Sequence, residues 1–454
     1  MKRFLCILFV IAMIMGMTAS AFAADSNREV VRVAWLGLNP DDTIDPISGI
    51  KHLGSYVLKE LVESKLPNVE IEFIMVPGDG WLAKMDTIIT AGDTDIGWYT
   101  NQIIAPTWFV DHKQFMENDP DFPLEKFYSS FAEGAIKYST YSTFDYPQNK
   151  GEIYGLPYGM TSNFLMYDKL LLEQWGVPEP SRYPTFAELL DIAQKTTGAN
   201  PKTGRQNYGA FIQSYWCEWL GVGADLYRVV DNPTMDINLL DIDYHVNYVL
   251  DSPEILGYFQ FLEDAIKCSP PGAPAGMGFE KWMTPDNDIA VMLDIGQTGD
   301  LYSHIIANNS EVTDRFIPVY LPLGEQGKSG FPEFHHLAVT KSANNPELAW
   351  EVVKLIATDA DCLNYIFENN TMSALPAVLD TAGIRIMNDL FTIERYENRK
   401  TTVFLSDDYW HWRQPMQQVF PKLFTGEINA EEARELLHTN MLEWIANKKA
   451  QLGS

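Results

Sequence analysis

The chain has 454 residues, which is long for a single hydrophobic core, so two or more lobes are expected. Hydrophobic residues make up 46% of the chain and aromatic residues 13%, which excludes an intrinsically disordered protein. The formal net charge of −28 opposes binding to nucleic acid and to anionic membranes, and it disfavours a strongly anionic ligand.

The beginning of the chain is typical of a secretory signal peptide. Lys2 and Arg3 precede an apolar run at residues 4–17, and the small-x-small motif at 21–23 predicts cleavage after Ala23. The run is short for a membrane span, and no later stretch approaches that length. Because Cys6 lies early in the run and not at the cut, we expect an exported periplasmic protein that is not a lipoprotein.

The elements that follow alternate between strand and helix, which is typical of α/β sheets flanked by helices. Apolar periodicity predicts strands at 30–35, 69–76 and 95–98 and helices at 51–66 and 81–91. Capping signals predict further helix starts at Thr185 with Glu188, at Asn345 before Pro346, and at Asn429 with Glu432. These signals bear on folding and say nothing about function.

Three cysteines follow the predicted cleavage site, namely Cys217, Cys268 and Cys362, and their spacing fits no zinc motif. Cys217 could pair with Cys268 in an oxidising compartment. The alternative is that all three are buried thiols that pack as small apolar residues. The sequence leaves both open.

Seven short segments, in order, resemble those of the extracellular solute-binding proteins of family 1, the carbohydrate-type, maltose-binding-protein-like receptors of ABC importers. The segments are AGDTDI at 91–96, GEIYGLP at 151–157, MYDK at 166–169, AVMLDIG at 290–296, the strand and loop at 316–324, LAVTKS at 337–342 with AWE at 349–351, and SALPA at 373–377. Two places depart from the family pattern: Thr298 stands where a tryptophan is frequent, and His335-His336 stands where two glycines are frequent.

The resemblance implies a two-lobed periplasmic-binding-protein fold of the type II kind, each lobe a mostly parallel sheet flanked by helices. The chain would cross between lobes three times, near Thr161, Tyr320 and Pro376. The first lobe would comprise residues 24–160 with 321–375, and the second 161–320 with 376–454. The ligand would bind between the lobes, which would close by hinge bending.

Loops at the carboxyl ends of strands line the crevice of an α/β sheet, and this rule nominates the ligand-binding residues. Sugars present C–H patches and hydroxyl edges, so we look for aromatic faces beside carboxylates and amides. The candidates are Asn39, Asp41, Asp42, Trp81, Tyr99, Asn101, Tyr158, Trp216, Glu218, Trp219, Gln297, Glu333, His335, Trp410 and Trp412. For each aromatic residue the alternative is core packing, which we favour for Trp350 and Trp444 on their helical stripes.

The sequence therefore predicts a monomeric receptor that captures a mono- or oligosaccharide for the permease subunits of an ABC importer, without catalysis, cofactor or metal. Adjacent histidines on a strand point to opposite faces, so His335 and His336 are not expected to share a metal ion. A second hypothesis keeps the fold and binds a polyamine or another cationic solute through acidic and aromatic groups. A third is a secreted glycan-cleaving enzyme that uses an acidic pair such as Asp41/Asp42, or Glu218 with Asp225.

Overall fold

The computed structural model describes residues 28–44, 49–77, 80–100, 104–131, 133–141, 146–161, 165–214, 217–224, 249–293, 309–322, 333–369 and 415–452. The expected signal peptide and its cleavage site lie outside these ranges, as does the crossing expected near Pro376. Within them, no helix combines the length and the apolar character needed to cross a bilayer.

The strands follow in chain order. They are β1 Glu29–Leu36, β2 Thr43–Ile44, β3 Lys51–His52, β4 Val69–Val76, β5 Ile96–Tyr99, β6 Leu156–Thr161, β7 Leu165–Asp168, β8 Gly198–Ala199, β9 Gln206–Phe211, β10 Ile289–Met292, β11 Phe316–Val319 and β12 Glu333–Val339.

The α-helices alternate with these strands. They are α1 Tyr56–Lys65, α2 Trp81–Ala91, α3 Ala105–Trp108, α4 Lys113–Met116, α5 Leu124–Ser130, α6 Glu133–Ser139, α7 Lys169–Trp175, α8 Phe186–Lys195, α9 Cys217–Leu220, α10 Pro253–Ala265, α11 Ser310–Thr313, α12 Pro346–Thr358, α13 Ala360–Asn369, α14 Phe420–Phe424 and α15 Ala430–Leu452. Single 3-10 turns lie at Pro147–Asn149, Gly221–Ala224, Ile266–Cys268 and Ala273–Ala275.

The protein has two lobes, and the described strands form one five-stranded sheet for each. The first sheet has the order β4-β1-β5-β12-β6, and β1 pairs in parallel with both β4 and β5. Strand β12 pairs antiparallel with its neighbours β5 and β6, so four of the five strands run in one direction. This sheet fits the expectation of a mostly parallel arrangement.

The second sheet has the order β11-β7-β10-β9-β8 and is more mixed than expected. Only β9 and β10 pair in parallel, whereas β7 pairs antiparallel with β10 and β11, and β8 with β9. The two antiparallel pairs of β7 arise where the chain enters the sheet at β7 and where it leaves through β11, whereas β8 and β9 are neighbours along the chain. Strands from residues 29–161 and 333–339 build the first sheet and strands from 165–319 the second, and the finer lobe boundaries stay a prediction.

Local sequence signals set the starts of the three helices for which capping was predicted. Thr185 and Glu188 form the reciprocal capping box at α8, and the Asn345 side chain accepts a hydrogen bond from Leu348 N at the start of α12. Asn429 and Glu432 exchange the same pair of bonds at α15. Helix α1 begins at Tyr56 and not at Lys51, because Lys51 and His52 pair with Thr43 and Ile44 as a short hairpin.

The interiors of both lobes are packed with apolar side chains. Trp350 on α12 is buried as expected, and Trp444 on α15 packs partly buried against the core. Cys217, Cys268 and Cys362 are buried thiols, and Cys217 donates to the carbonyl of Gln213. The pairing of Cys217 with Cys268, which the sequence left open, is not formed.

Candidate functional site

The chain passes from the first sheet to the second between Thr161, at the end of β6, and Leu165, at the start of β7. It returns between Val319 and Glu333. In the first sheet, β1, β4, β5 and β6 run in one direction and Glu333 pairs with Thr161, so their carboxyl ends share the edge at which the chain crosses. This edge is where ligands bind in open α/β sheets.

A cluster of aromatic rings covers one face of the first sheet at this edge. Trp35 on β1 and Trp98 on β5 are both buried, and the ring of Tyr158 on β6 lies 4.8 Å from the ring of Trp35. His335 on β12 lies 5.3 Å from Trp98 and 6.2 Å from Tyr158, measured between ring centroids. These rings are contiguous although they come from four strands.

Trp81, the first residue of α2, extends the cluster. Its ring lies 5.1 Å from that of Trp98 in an edge-to-face arrangement, which is a favourable geometry for aromatic pairs. Trp81 and His335 are half-buried, whereas Trp98, Tyr158 and Trp35 behind them are buried. We call these five residues the aromatic wall. A ligand at the sheet edge would meet Trp81 and His335 first.

The wall offers uncharged hydrogen-bonding groups. Burial alone lowers the pKa of His335 to about 4, so its imidazole is neutral at physiological pH and has one donor and one acceptor nitrogen. Burial also raises the pKa of Tyr158, whose hydroxyl accepts a hydrogen bond of 2.9 Å from the Trp35 indole. Within the described ranges, the buried indole N–H of Trp98 has no hydrogen-bond partner.

Tyr99 and His336 occupy the opposite face of the same sheet. Their rings stack 4.9 Å apart, and His336 also stacks on Tyr138 and bonds to the Ser139 hydroxyl at 2.9 Å. Both are fully buried, since successive strand residues alternate between faces. Tyr99, which we nominated as a ligand residue, is therefore part of the core in this structure. His335 and His336 point apart, as expected of neighbours on a strand.

The loop after β1 carries three further candidate ligand residues. They differ in whether their side chains are exposed or already bonded to other residues of the protein. Asn39 and Asp41 have exposed side chains. Asp42 is engaged: its carboxylate pairs with Lys51 at 2.5 Å and accepts hydrogen bonds from Gly54 N at 2.9 Å and Tyr56 Oη at 3.0 Å. The bond to Lys51 and the other donors lower the pKa of Asp42 to about 2. Asp42 organises the loop, and Asn39 and Asp41 are free to face a ligand.

The second lobe presents fewer described groups at its crossing edge. Gln213 and Ser214 follow the carboxyl end of β9, and the Ser214 hydroxyl donates to Pro274 O at 2.9 Å. Tyr320, after β11, is buried with its ring stacked on Tyr183 at 4.5 Å and with Arg182 above it. These contacts pack the described start of the second crossing at Tyr320.

Several candidate ligand residues lie outside the described ranges or on elements of which only the backbone is described. Asn101, Trp216, Gln297, Trp410 and Trp412 lie outside the described residues, as does Asp225. Glu218 and Trp219 lie on the short helix α9 and Glu333 lies at the start of β12, with only their backbone described. Their ligand roles stay predictions.

Sequence reasoning missed two members of the wall. Trp35 and Trp98 lie inside strands, where we assigned them only to the sheet. Their position in the sequence could have identified them, because each lies within two residues of the carboxyl end of a predicted strand. Across the described ranges, no group of three metal-binding side chains is found.

Part of the chain is similar in sequence to a known protein family. The model of the bacterial extracellular solute-binding protein family matches residues 54–252. A Brucella abortus (strain 2308) protein described as a binding protein is 28% identical over 158 residues, which is 34% of this chain and 34% of that relative. The chain thus spans about a third of the length of the curated relatives it matches.

Solved structures share the fold over most of the chain. The ABC substrate-binding protein Lmo0181 of Listeria monocytogenes, solved with cycloalternan, has a TM-score of 0.64 and 16% identity and covers 92% of this chain and 99% of its own. An ABC transporter solute-binding protein of Thermotoga lettingae, bound to α-D-tagatose, has a TM-score of 0.65 and 18% identity and covers 92% and 100%. With the two-lobed architecture, these findings show that the chain has the maltose-binding-like fold and that residues 54–252 resemble the bacterial extracellular solute-binding proteins.

Proposed function

We propose that the protein captures a neutral mono- or oligosaccharide between its lobes and delivers it to the permease of an ABC importer. The observation that carries this proposal is the aromatic wall at the crossing edge, where half-buried Trp81 and His335 are backed by Trp98 and Tyr158. Two structural neighbours, solved with cycloalternan and tagatose, support a carbohydrate ligand.

The wall suits a sugar for two physical reasons. Flat indole faces pack on the C–H patches of a pyranose or furanose ring, and neutral imidazole and indole groups bond to hydroxyls without the desolvation cost of a charge. The five wall residues include no carboxylate and no cation at neutral pH, because the pKa of His335 is about 4. Closure of the second lobe would exclude water and so strengthen each polar contact.

A cationic solute is the second candidate, and the net charge of −28 favours it. In the described part of the site, however, Asp42 is already paired with Lys51, which leaves Asp41 as the exposed carboxylate of that loop. A polyamine needs several acceptors for its ammonium groups, so the described geometry favours a neutral ligand.

The protein is proposed to act without catalysis, as a receptor exported through a cleaved signal peptide and working as a periplasmic monomer. The pair Asp41/Asp42 is poorly suited to acid–base work, because Asp42, with a pKa of about 2, stays ionised and cannot donate a proton at neutral pH. The family match is to binding proteins.

The test is a titration of intrinsic tryptophan fluorescence with maltose, longer malto-oligosaccharides, tagatose and spermidine. We expect a saturable change with at least one saccharide and none with spermidine, since Trp81 and Trp98 would lie beside the ligand. Chromatography of the saccharide after long incubation should show no product. A response to spermidine alone would replace the sugar by a cation, and a hydrolysed product would make the protein an enzyme.

A further inference from the structure

The described parts of the ligand loop of the first lobe, residues 37–44 and 49–55, are held by contacts between residues 52–53 and the end of helix α13. The backbone N–H of Leu53 donates to the Asn369 side-chain oxygen at 2.6 Å, and the Leu53 carbonyl accepts from the Tyr365 hydroxyl at 3.0 Å. The His52 imidazole also lies 3.2 Å from the Glu368 carbonyl. Two side chains of helix α13 thus form hydrogen bonds with the backbone N–H and the backbone carbonyl of Leu53.

Helix α13 is a firm support for these bonds. Lys65, at the end of α1, pairs with Asp359 and Asp361 at 2.7 Å each, which fixes the start of α13 against α1. Asn369 is itself oriented, because its amide donates to the Tyr365 carbonyl at 2.7 Å. The cavity left between the loop and the helix is only about 20 Å³, room for roughly one water molecule.

The backbone beside Leu53 contacts the backbone segment that carries the candidate ligand residues. Next to Leu53, Gly54 packs so closely that an added Cβ would lie 2.5 Å from the Pro40 carbonyl oxygen. Ser55 N donates to the Asn39 carbonyl at 2.8 Å. A shift of the Leu53 peptide would therefore displace the backbone that carries Asn39 and Asp41.

We propose that Asn369 and Tyr365 are positioning residues for the ligand, which they do not touch. This proposal rests on the proposed function, in which Asn39 and Asp41 face the ligand. By holding Leu53 they place this loop before the ligand arrives, so less ordering cost remains at binding. In their absence the loop must be ordered by the ligand itself, and affinity falls.

The experiment compares Asn369→Ala, Asn369→Asp and Tyr365→Phe with a control, Asn345→Ala. The control removes the cap of helix α12 in the same lobe, and the Asn345 side chain bonds to Leu348 N and Glu29. Dissociation constants are measured for the saccharide that binds the wild type most tightly, thermal unfolding gives stability, and hydrogen exchange reports on the Leu53 amide.

We expect Asn369→Ala to weaken saccharide binding about fivefold to tenfold, the equivalent of one hydrogen bond, and to speed exchange of the Leu53 amide. Asn369→Asp keeps an acceptor for Leu53 but loses the donor to the Tyr365 carbonyl, so it should weaken binding less than Asn369→Ala without restoring the wild-type affinity. Tyr365→Phe should also weaken binding less than Asn369→Ala. Asn345→Ala should lower the unfolding temperature and leave the affinity unchanged.

The experiment distinguishes a failure of the proposed function from a failure of the positioning role. If the wild type binds no saccharide, the proposed function is wrong and the positioning role falls with it. If the wild type binds and Asn369→Ala exchanges the Leu53 amide faster with unchanged affinity, the positioning role alone is overturned. Equal losses of affinity in Asn369→Ala and Asn345→Ala would also overturn it, since the effect would then follow general stability.

Discussion

The Trp35 indole donates a 2.9 Å hydrogen bond to the Tyr158 hydroxyl, although strands β5 and β12 lie between their own strands β1 and β6. The two side chains reach toward each other over the sheet and meet beside His335, which lies on β12. This bond links the strand that begins the first lobe to the strand that leads out of it. Trp81 and His335 therefore pack against residues that three strands, β1, β5 and β6, hold in place.

Trp81 should supply a large part of the ligand affinity. Trp81→Ala removes the half-buried ring in front of Trp98, and burial of one aromatic side chain is worth about 1.5–3 kcal/mol, so affinity should fall roughly tenfold to a hundredfold. Isothermal titration calorimetry with the bound saccharide measures this change. The matched control is Leu82→Ala on the same helix, where the side chain is 41% exposed and binding should be unaffected. Equal affinities for wild type and Trp81→Ala would remove Trp81 from the site.

The free energy of unfolding should decrease as the pH is lowered from 6.5 to 4, because the protein contains buried histidines. Burial lowers the pKa of fully buried His112 to about 4 in the folded protein, whereas the unfolded chain titrates near 6.5. Over this window the unfolded state binds a proton that the folded state does not, so the free energy of unfolding is highest above pH 6.5 and decreases as pH falls. The total loss from His112 alone is about 3 kcal/mol, and His336 acts in the same direction.

Urea unfolding at pH 7.5, 6.0 and 5.0 measures this loss above the range in which most carboxylates titrate. In His112→Gln the dependence on pH should be shallower, although the variant starts from lower stability because His112 bonds to Val110 O and Val339 N. Equal stability of the wild type at pH 7.5 and 5.0 would contradict the prediction.

The predictable part of the structure was the part that local periodicity controls. Residues 69–76 and 81–91 form the predicted strand and helix, since each has one clear apolar face. Lys51 was wrongly placed in a helix, because its pairing with Ile44 is a tertiary event that no helical pattern reveals. The mixed pairing of the second sheet likewise depends on where the chain enters and leaves the lobe.

The grouping of candidate residues was predictable by region but not by side chain. The carboxyl-end rule nominated Trp81, Tyr158 and His335, which the fold brings together in the aromatic wall, and their ligand roles stay predictions. It also selected Tyr99, where alternation sends the ring to the core and leaves its neighbour Trp98 on the wall. Asp42 was selected for its carboxylate, yet its bonds to Lys51 and Gly54 depend on the folded loop. Which of two adjacent residues faces the ligand is set by the strand register, which one sequence does not provide.

A buried ion pair should be important for stability in the second lobe. Asp168 is fully buried and accepts hydrogen bonds from Arg315 at 2.6 and 2.9 Å and from Asn287 at 2.7 Å. Arg315→Met leaves this carboxylate without its cation and should cost about 3–5 kcal/mol in urea unfolding. Arg205→Met is the matched control, since Arg205 pairs with Asp286 on the surface and should cost less than about 1 kcal/mol. Similar losses in both variants would refute the special role of the buried pair.

Gly54 should be irreplaceable for steric reasons. In Gly54→Ala the new Cβ would lie 2.5 Å from the Pro40 carbonyl oxygen and 2.9 Å from the Asp41 carbonyl carbon, so the ligand loop must open. We expect weaker saccharide binding, together with a loss of stability of about 1–3 kcal/mol from overpacking. Gly257→Ala, on helix α10, meets no atom within 4 Å and should be neutral or stabilising. Unchanged affinity in Gly54→Ala would show that the loop does not contact the ligand.

The most direct test of an uncharged ligand held against the aromatic wall is calorimetric titration of the wild-type protein with a saccharide panel and with spermidine, each at low and at high salt. We expect one saturable site for a saccharide, with the same dissociation constant at both salt concentrations, since no ion pair forms. Binding of spermidine alone, weakened strongly by salt, would contradict it.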